Sequence, residues 1–447
     1  MLRSSGGMVE MGKYVLRCLE CGLRVADAYT NKCPRGHDGL LRSEYSCELS
    51  LRKLGGIWKF WDWLPSTEKP FVNSDAMPAT YKSEGLAREL RLRNLYVSFN
   101  GFWPERGAFV ETCTFKEYEA IATFQRAYET TSRILVVASA GNTARGFAQV
   151  SASCGMPVVC VVPEKALRRL WATKEPSHVV LVAVRGDYPD AIRVAASICD
   201  ACPHLFVSEG GFRNVARRDA LGVVLLDAVF RMHVFPTHYF QAVGSGTGAI
   251  GVFEQATRLL NESKNMRGMP RLHLAQNLPF APMFRAWKAR RSKIIPEDTA
   301  DAEIRIRQMY ADVLSNKNPP YALKGGVYEI LRATHGEMYG ITNEEAKSAQ
   351  KLFESVEGID IDPAAAVAVA ALIQAVERGV IRKEDTVLLN ISGGGYKRLN
   401  ESHLTCLLCK MDATIRALEI EEIVKELQEC IKGHTQRATE AGETLNI

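Results

Sequence analysis

Two doubly wound α/β lobes with a small cysteine-rich appendage at the N-terminus are the architecture this sequence predicts. Three observations lead there. The chain has 447 residues, more than a single hydrophobic core usually organises. From residue 133 onward, β-branched apolar runs alternate with helix-like segments. Those runs show no polar alternation, which suits parallel strands buried on both faces and joined by crossover helices.

Composition narrows the function classes. With 47% hydrophobic and 24% charged residues the chain reads as an ordinary globular protein. Its net charge of +5, from 56 basic and 51 acidic residues, is too mild for a nucleic-acid binder and suits small anionic substrates. No stretch of about 18 uninterrupted apolar residues appears, so no membrane span is expected. The opening "MLRSSGGMVEMGKYVLRC" lacks the apolar core and small-residue cleavage site of a signal peptide, which predicts a cytoplasmic protein. Twelve scattered cysteines then read as reduced thiols, with metal binding as the exception to look for.

That exception sits near the start. "CLECGLRVADAYTNKCPRGH" offers Cys18 and Cys21 as one pair, then Cys33 and His37 as a second. Two such knuckles can place three thiolates and one imidazole around zinc. The other reading is free thiols in a small β-hairpin. A structural site of this kind is closed, so it would not be the catalytic centre. Two further CxxC pairs, Cys199 with Cys202 and Cys406 with Cys409, lack a second ligand pair nearby and read as core thiols.

The middle follows in order as "RILVVAS", "TARGFAQVSASC", "VVCVVP", "HVVLVAV", "AIRVAASIC" and "LFVS", alternately strand and helix. A second series opens with the helical "VARRDALGVVLLDAVFRM", runs through "HYFQAV", "AIGVFEQATRLL" and "RLHLAQ", and ends with "TVLLNISGGG". Before that last strand lies "DPAAAVAVAALIQAVERG", a helix that Asp362 caps, Pro363 starts and Gly379 closes. "TIRALEIEEIVKELQEC" reads as a final amphipathic helix, followed by a frayed tail after Gly433. The expected division is 1–47 for the appendage, 48–97 with 212–447 for a large lobe, and 98–211 for a smaller one.

In α/β sheets, ligands gather beyond the carboxyl ends of strands, and three strand ends here are rich in glycine or serine. In "VVASAGNTARGFA", Ser139, Gly141, Asn142 and Thr143 bridge strand to helix. Exposed amides there, with short polar side chains, suit a carboxylate or phenolic oxygen; the plainer reading is a helix cap. In "QAVGSGTGAIG", Gly244, Ser245, Gly246, Thr247 and Gly248 can converge on a phosphate. Gly244, Gly246 and Ala249 also match a dinucleotide fingerprint, but the next strand ends at Gln276 without an acidic residue for a ribose. In "NISGGGYKRL", Ser392 leads three glycines. Add Lys116 of "VETCTFKEYEA", alone no more than a surface charge, and the set describes a pyridoxal phosphate site. A phosphate cradle, a carboxylate loop, a serine for a ring nitrogen and a lysine for the aldehyde make joint sense.

These segments resemble the fold-type II pyridoxal phosphate enzymes, whose fold is that of the tryptophan synthase β subunit, and within them the threonine synthase branch. "TFKEYEA" is similar to the cofactor-lysine segment, "SAGNT" to the asparagine loop, "GSGTG" to the phosphate cradle and "SGGG" to the pyridine-nitrogen turn. "GITNEEAKSAQKLFESVEGIDIDPAAAVAVAAL" is similar to the later stretch ending in an alanine-rich helix. One departure matters. Threonine synthases follow the lysine with aspartate, arginine and glycine, whereas here Glu117, Tyr118, Glu119 and Ala120 follow. "NGFWPERGAFVETCTFKEYEA" looks instead like the cysteate synthases, a paralogous family making L-cysteate from O-phospho-L-serine and sulfite on the way to coenzyme M. That resemblance implies Lys116 as the catalytic lysine, Asn142 at the ring oxygen, Gly244 to Gly248 on the cofactor phosphate and Ser392 at the ring nitrogen. Ser139, Gly141 and Thr143 would hold the substrate carboxylate. It also implies small-molecule substrates and a homo-oligomer. Arg106, Arg145 and Lys324 are unassigned candidates for the anionic groups. A threonine synthase acting on phosphohomoserine, an NAD-dependent oxidoreductase and a non-catalytic zinc-ribbon binding protein are the competing readings.

Overall fold

The computed structural model describes residues 12–262, 268–402, 409–410, 415–416, 421–425 and 427–429. The appendage is a three-stranded antiparallel sheet with Tyr14–Cys18 at its centre, flanked by Arg24–Val25 and Leu41–Tyr45. Two tight turns interrupt it, closed by Gly22 N–H donating to Cys18 O and Gly36 N–H donating to Cys33 O, both at 2.9 Å.

Two sheets form the body. The first runs Phe206–Ser208, Ile134–Ala138, Val158–Pro163, Val179–Val184 and Ile415–Arg416, every neighbour parallel. Val158–Pro163 and Val179–Val184 are buried at every residue, which is why their sequences carry no polar alternation. The second runs Glu337–Ile341, Arg271–Asn277, His238–Ala242, Thr386–Ile391, Asn94–Phe99 and Ala79–Lys82, parallel except for the last pair. Helices cover both, as the alternating pattern requires. The alanine-rich helix Pro363–Glu377 lies against the second sheet, and Asp362 caps it by accepting from Ala365 N–H at 2.7 Å. Small side chains let it pack closely on the strands, and Ala364–Leu372 are all buried.

The C-terminal segment differs from its apolar pattern. Residues 414–430 read as one amphipathic helix, but Ile415–Arg416 pairs as a strand beside Val179–Val184; residues 421–425 and 427–429 are helical. An open sheet edge offers unpaired backbone groups that an adjacent segment can satisfy, and here that outweighs helical periodicity. Ile423 and Leu427 are still buried, against the core of the first sheet. Cys199 and Cys202 belong to that core too. Cys406 and the tail after Gly433 lie outside the described residues. Among the described residues no helix is long and apolar enough to cross a membrane.

Candidate active site

Lys116 is the first residue of the helix Lys116–Thr130. The turn leading to it is stitched by backbone to the glycine run that follows Thr386–Ile391. Phe115 N–H donates to Ser392 O and Gly394 N–H donates to Cys113 O, each at 3.1 Å. Thr114 bridges Gly393 between them. The lysine and the serine turn, far apart in sequence, are therefore one rigid unit.

That unit borders a cavity of about 720 Å³. Lys116, Ser139, Gly141, Asn142, Thr143, Gly244, Ser245, Gly246, Thr247, Gly248 and Ser392 all line it, so every cofactor and substrate residue read from the sequence meets in one place. The carboxyl ends of Ile134–Ala138, His238–Ala242 and Thr386–Ile391 supply the three loops.

Each loop is built for contact with something other than protein. Ser139 Oγ accepts from Gly141 N–H at 2.9 Å and from Ala144 N–H at 3.0 Å, which directs its own proton elsewhere. The hydroxyl of Thr143 accepts from Arg217 Nη2 at 3.0 Å and also bonds the Glu119 carboxylate. In the glycine loop, Gly246 has φ +79°, and a Cβ there would meet Val327 Cγ2 at 2.5 Å, so only glycine fits. Ile250 N–H donates to Gly246 O at 3.0 Å; the amides of Gly246, Gly248 and Ala249 have no backbone acceptor among the described residues. Amides so placed at a helix start hold an anion. Asn142, half-buried, and Ser392, 7% exposed, both line the cavity. Neither side chain has a partner among the described residues, although buried polar groups are normally bonded. A pyridoxal ring with its phosphate supplies partners for both, so these residues fit that cofactor.

Charge at the site is carried by a buried network that the sequence did not reveal. Lys116 Nζ lies 3.1 Å from Glu119 Oε2. Glu119 is gripped at both oxygens by Arg217, at 2.8 and 2.5 Å, and Arg217 also meets Glu209 at 3.3 Å. Burial alone would raise the Glu119 carboxyl, but Arg217 and then Lys116 hold it down at about 2. Burial pushes the Lys116 amine below its ordinary value, opposed by Glu119. Burial raises Glu209. The arginine pair in "NVARRDALG" gives no sign of this role; it takes the fold to bring residues 119, 209 and 217 together.

Three candidates do not reach the cavity. Arg106 stacks on Tyr81 and Trp103, 4.4 and 5.1 Å from their ring centres. Arg145 donates to Tyr396 Oη at 3.0 Å and lies over Trp171. Lys324 pairs with Glu329 at 2.8 Å. Gln276, which ends the strand after the glycine loop, accepts from Phe284 N–H at 3.0 Å and is turned to structure rather than to a ribose.

The appendage brings the ligand atoms of Cys18, Cys21, Cys33 and His37 within 4.8 Å of one another. Cys21 Sγ lies 3.8 Å from Cys33 Sγ, and Cys33 Sγ 3.5 Å from His37 Nδ1. Four ligands at such spacing, three sulfur and one nitrogen, fit a closed tetrahedral zinc site.

The family described as pyridoxal-phosphate dependent enzyme matches residues 83–393. A cysteate synthase from Methanosarcina barkeri is 50% identical over 398 residues, covering 88% of this chain and 94% of its own. Another, from Methanocella paludicola, is 48% identical over 426 residues, covering 94% and 98%. Among solved structures, serine racemase from Dictyostelium discoideum gives a TM-score of 0.52 at 17% identity, covering 71% of this chain and 92% of its own. Threonine deaminase isoform 2 from Solanum lycopersicum gives 0.52 at 17%, covering 80% and 97%. At that identity the likeness concerns the fold.

Proposed function

The chain belongs to the pyridoxal-phosphate dependent enzymes and, within them, to the cysteate synthase family; from that premise we propose that it converts O-phospho-L-serine and sulfite into L-cysteate and phosphate, a step toward coenzyme M. The observation that supports the site assignment is the cavity where Lys116 meets all three loops while Asn142 and Ser392 lack any partner among the described residues. Bound there, pyridoxal phosphate supplies the electron sink that makes the substrate's Cα proton removable. Lys116 holds the cofactor, and its burial favours the free amine needed to move that proton.

The chain's residues divide the remaining work. The amides and hydroxyls from Gly244 to Gly248 take the cofactor phosphate, Asn142 the ring oxygen and Ser392 the ring nitrogen. Ser139, whose hydroxyl already accepts from within the protein, donates to the substrate carboxylate, with the Gly141 turn and Thr143 beside it. Lys116 takes the proton from Cα. Phosphate leaves Cβ with the electron pair of its C–O bond, the sulfur of sulfite bonds to Cβ through its lone pair, and Lys116 returns the proton to Cα. Glu119, held ionised well below neutrality, does not compete for that proton. The lobe boundaries 48–97 with 212–447 and 98–211, zinc in the N-terminal cluster, a cytoplasmic location and a homo-oligomer belong to the same proposal.

Incubating purified protein with O-phospho-L-serine, with and without sulfite, and measuring phosphate and cysteate tests the reaction. Threonine formed from phosphohomoserine without sulfite would overturn it. The lysine has its own test: Lys116→Ala should lose the visible absorbance that borohydride abolishes in the unsubstituted protein. Retention of that reducible absorbance would remove Lys116 from its role.

A further inference from the structure

Resting on that reaction, we propose that Lys32, in the segment between the two metal-binding knuckles, binds the oxyanion exchanged at Cβ. Thr30, Asn31 and Lys32 line the catalytic cavity, so the appendage forms part of its wall. Lys32 is exposed as well as cavity-lining, which places it at the mouth.

The segment is fixed there by a buried cation of the lysine-bearing helix. Arg126, fully buried, donates to Asp27 at 2.6 and 2.8 Å, to Thr30 O at 3.0 Å and to Asn31 Oδ1 at 3.0 Å. Tyr29 Oη donates to Glu209 O at 3.2 Å. On the facing side, Gly210 has φ +100°, and a Cβ there would meet Asn31 Nδ2 at 2.6 Å, so the contact is as close as backbone allows. Cys33 of the metal cluster follows Lys32 directly. A loop held at both ends and in its middle can present a side chain reproducibly.

Charge accounting singles out Lys32. The other cations lining the cavity have carboxylate partners: Lys116 with Glu119 at 3.1 Å, Arg217 with Glu119 and Glu209, and Arg213 with Asp38 at 3.1 Å. Lys32 has none among the described residues. The leaving phosphate and the incoming sulfite are both multiply charged oxyanions, and both sit beside the same carbon in turn. One uncommitted ammonium at the mouth serves each of them, recruiting anions from solvent and releasing them again because it stays hydrated.

Steady-state kinetics of Lys32→Ala, Lys32→Glu and Lys32→Arg holoenzymes test this. The alanine variant should raise KM for both O-phospho-L-serine and sulfite by about tenfold, the equivalent of one charge-assisted hydrogen bond. Glutamate should raise both further, arginine should restore them, and kcat should fall less than KM rises. Inhibition by inorganic phosphate should weaken in parallel. Unchanged KM values with unchanged phosphate inhibition would overturn the proposal, as would a loss of cofactor absorbance in the alanine variant. If the unsubstituted protein does not turn over phosphoserine, the reaction assignment has failed instead. A titration of its cofactor absorbance with inorganic phosphate then still tests Lys32: a response lost in the alanine variant supports it and an identical response refutes it.

Discussion

Glu117→Gln should make the protein more stable above neutral pH and leave it nearly unchanged in mild acid. Glu117 follows Lys116 in the same helix but is 4% exposed and faces away from the cofactor cavity. With Glu111, Gln149 and Lys174 it lines a separate cavity of about 470 Å³. Its Oε2 accepts from Thr112 N–H at 2.9 Å, and burial raises its carboxyl from 4.5 to about 7, with Glu111 adding to the rise and Lys174 opposing it. A folded-state value above the unfolded one means that the stabilising contribution of the protonated group is complete below about 4.5 and is lost as pH rises through about 7. Each pH unit between 4.5 and about 7 corresponds to about 1.36 kcal/mol, so the loss approaches roughly 3 kcal/mol by pH 8.5. Glutamine keeps an oxygen for Thr112 and cannot ionise. Urea midpoints of both proteins at fixed salt, from pH 4.5 to 8.5, should diverge progressively in favour of the variant, with Glu111 and Lys174 cancelling between them. Parallel curves would refute the assignment of a buried, proton-holding carboxyl.

Other substitutions probe the site and its wall. Gly246→Ala places a Cβ against Val327 at a backbone φ of +79°; strain of about 1–2 kcal/mol should weaken cofactor binding roughly tenfold in a spectroscopic titration. Arg126→Met leaves Asp27 buried without its cation, and breaking such a pair costs about 3–5 kcal/mol; a lowered thermal midpoint together with raised KM values is expected. Cys21→Ser should abolish stoichiometric zinc by metal analysis while leaving the visible absorbance of the cofactor in place, since the cluster and the cofactor loops share no residue.

Val158–Pro163 and Val179–Val184 were legible because burial on both faces leaves short β-branched runs with no exposed residue and no polar one. The three loops were legible because each stands at a strand end and each uses residues that strands and helices disfavour. Arginines and lysines carry no such mark. Arg106, Arg145 and Lys324 looked no different in sequence from Arg217, Arg126 and Lys32, and only tertiary placement separates rings and surface carboxylates from the cavity. The strand at Ile415–Arg416 was hidden for a related reason, since its partner edge is supplied by residues more than two hundred positions away.

The glutamates after the lysine show how far local sequence can be pushed. Glu117 and Glu119 are two positions apart on one helix, so they leave it on nearly opposite sides. Both are buried, and burial pushes both carboxyls up. What separates them is the company each keeps. Glu117 faces another carboxylate, Glu111, and rises to about 7; Glu119 faces Arg217 and Lys116 and is held at about 2. Near neutrality one is about half protonated and the other fully ionised beside the Lys116 amine. In the threonine synthase pattern, aspartate stands at the position of Glu117 and glycine at that of Glu119, so that pattern shortens the carboxyl in the second cavity and removes the one beside Lys116. The departure that separates this chain from that branch therefore acts at two places: Glu119 sets the field around Lys116, and Glu117 sets the pH at which the lysine helix is most secure.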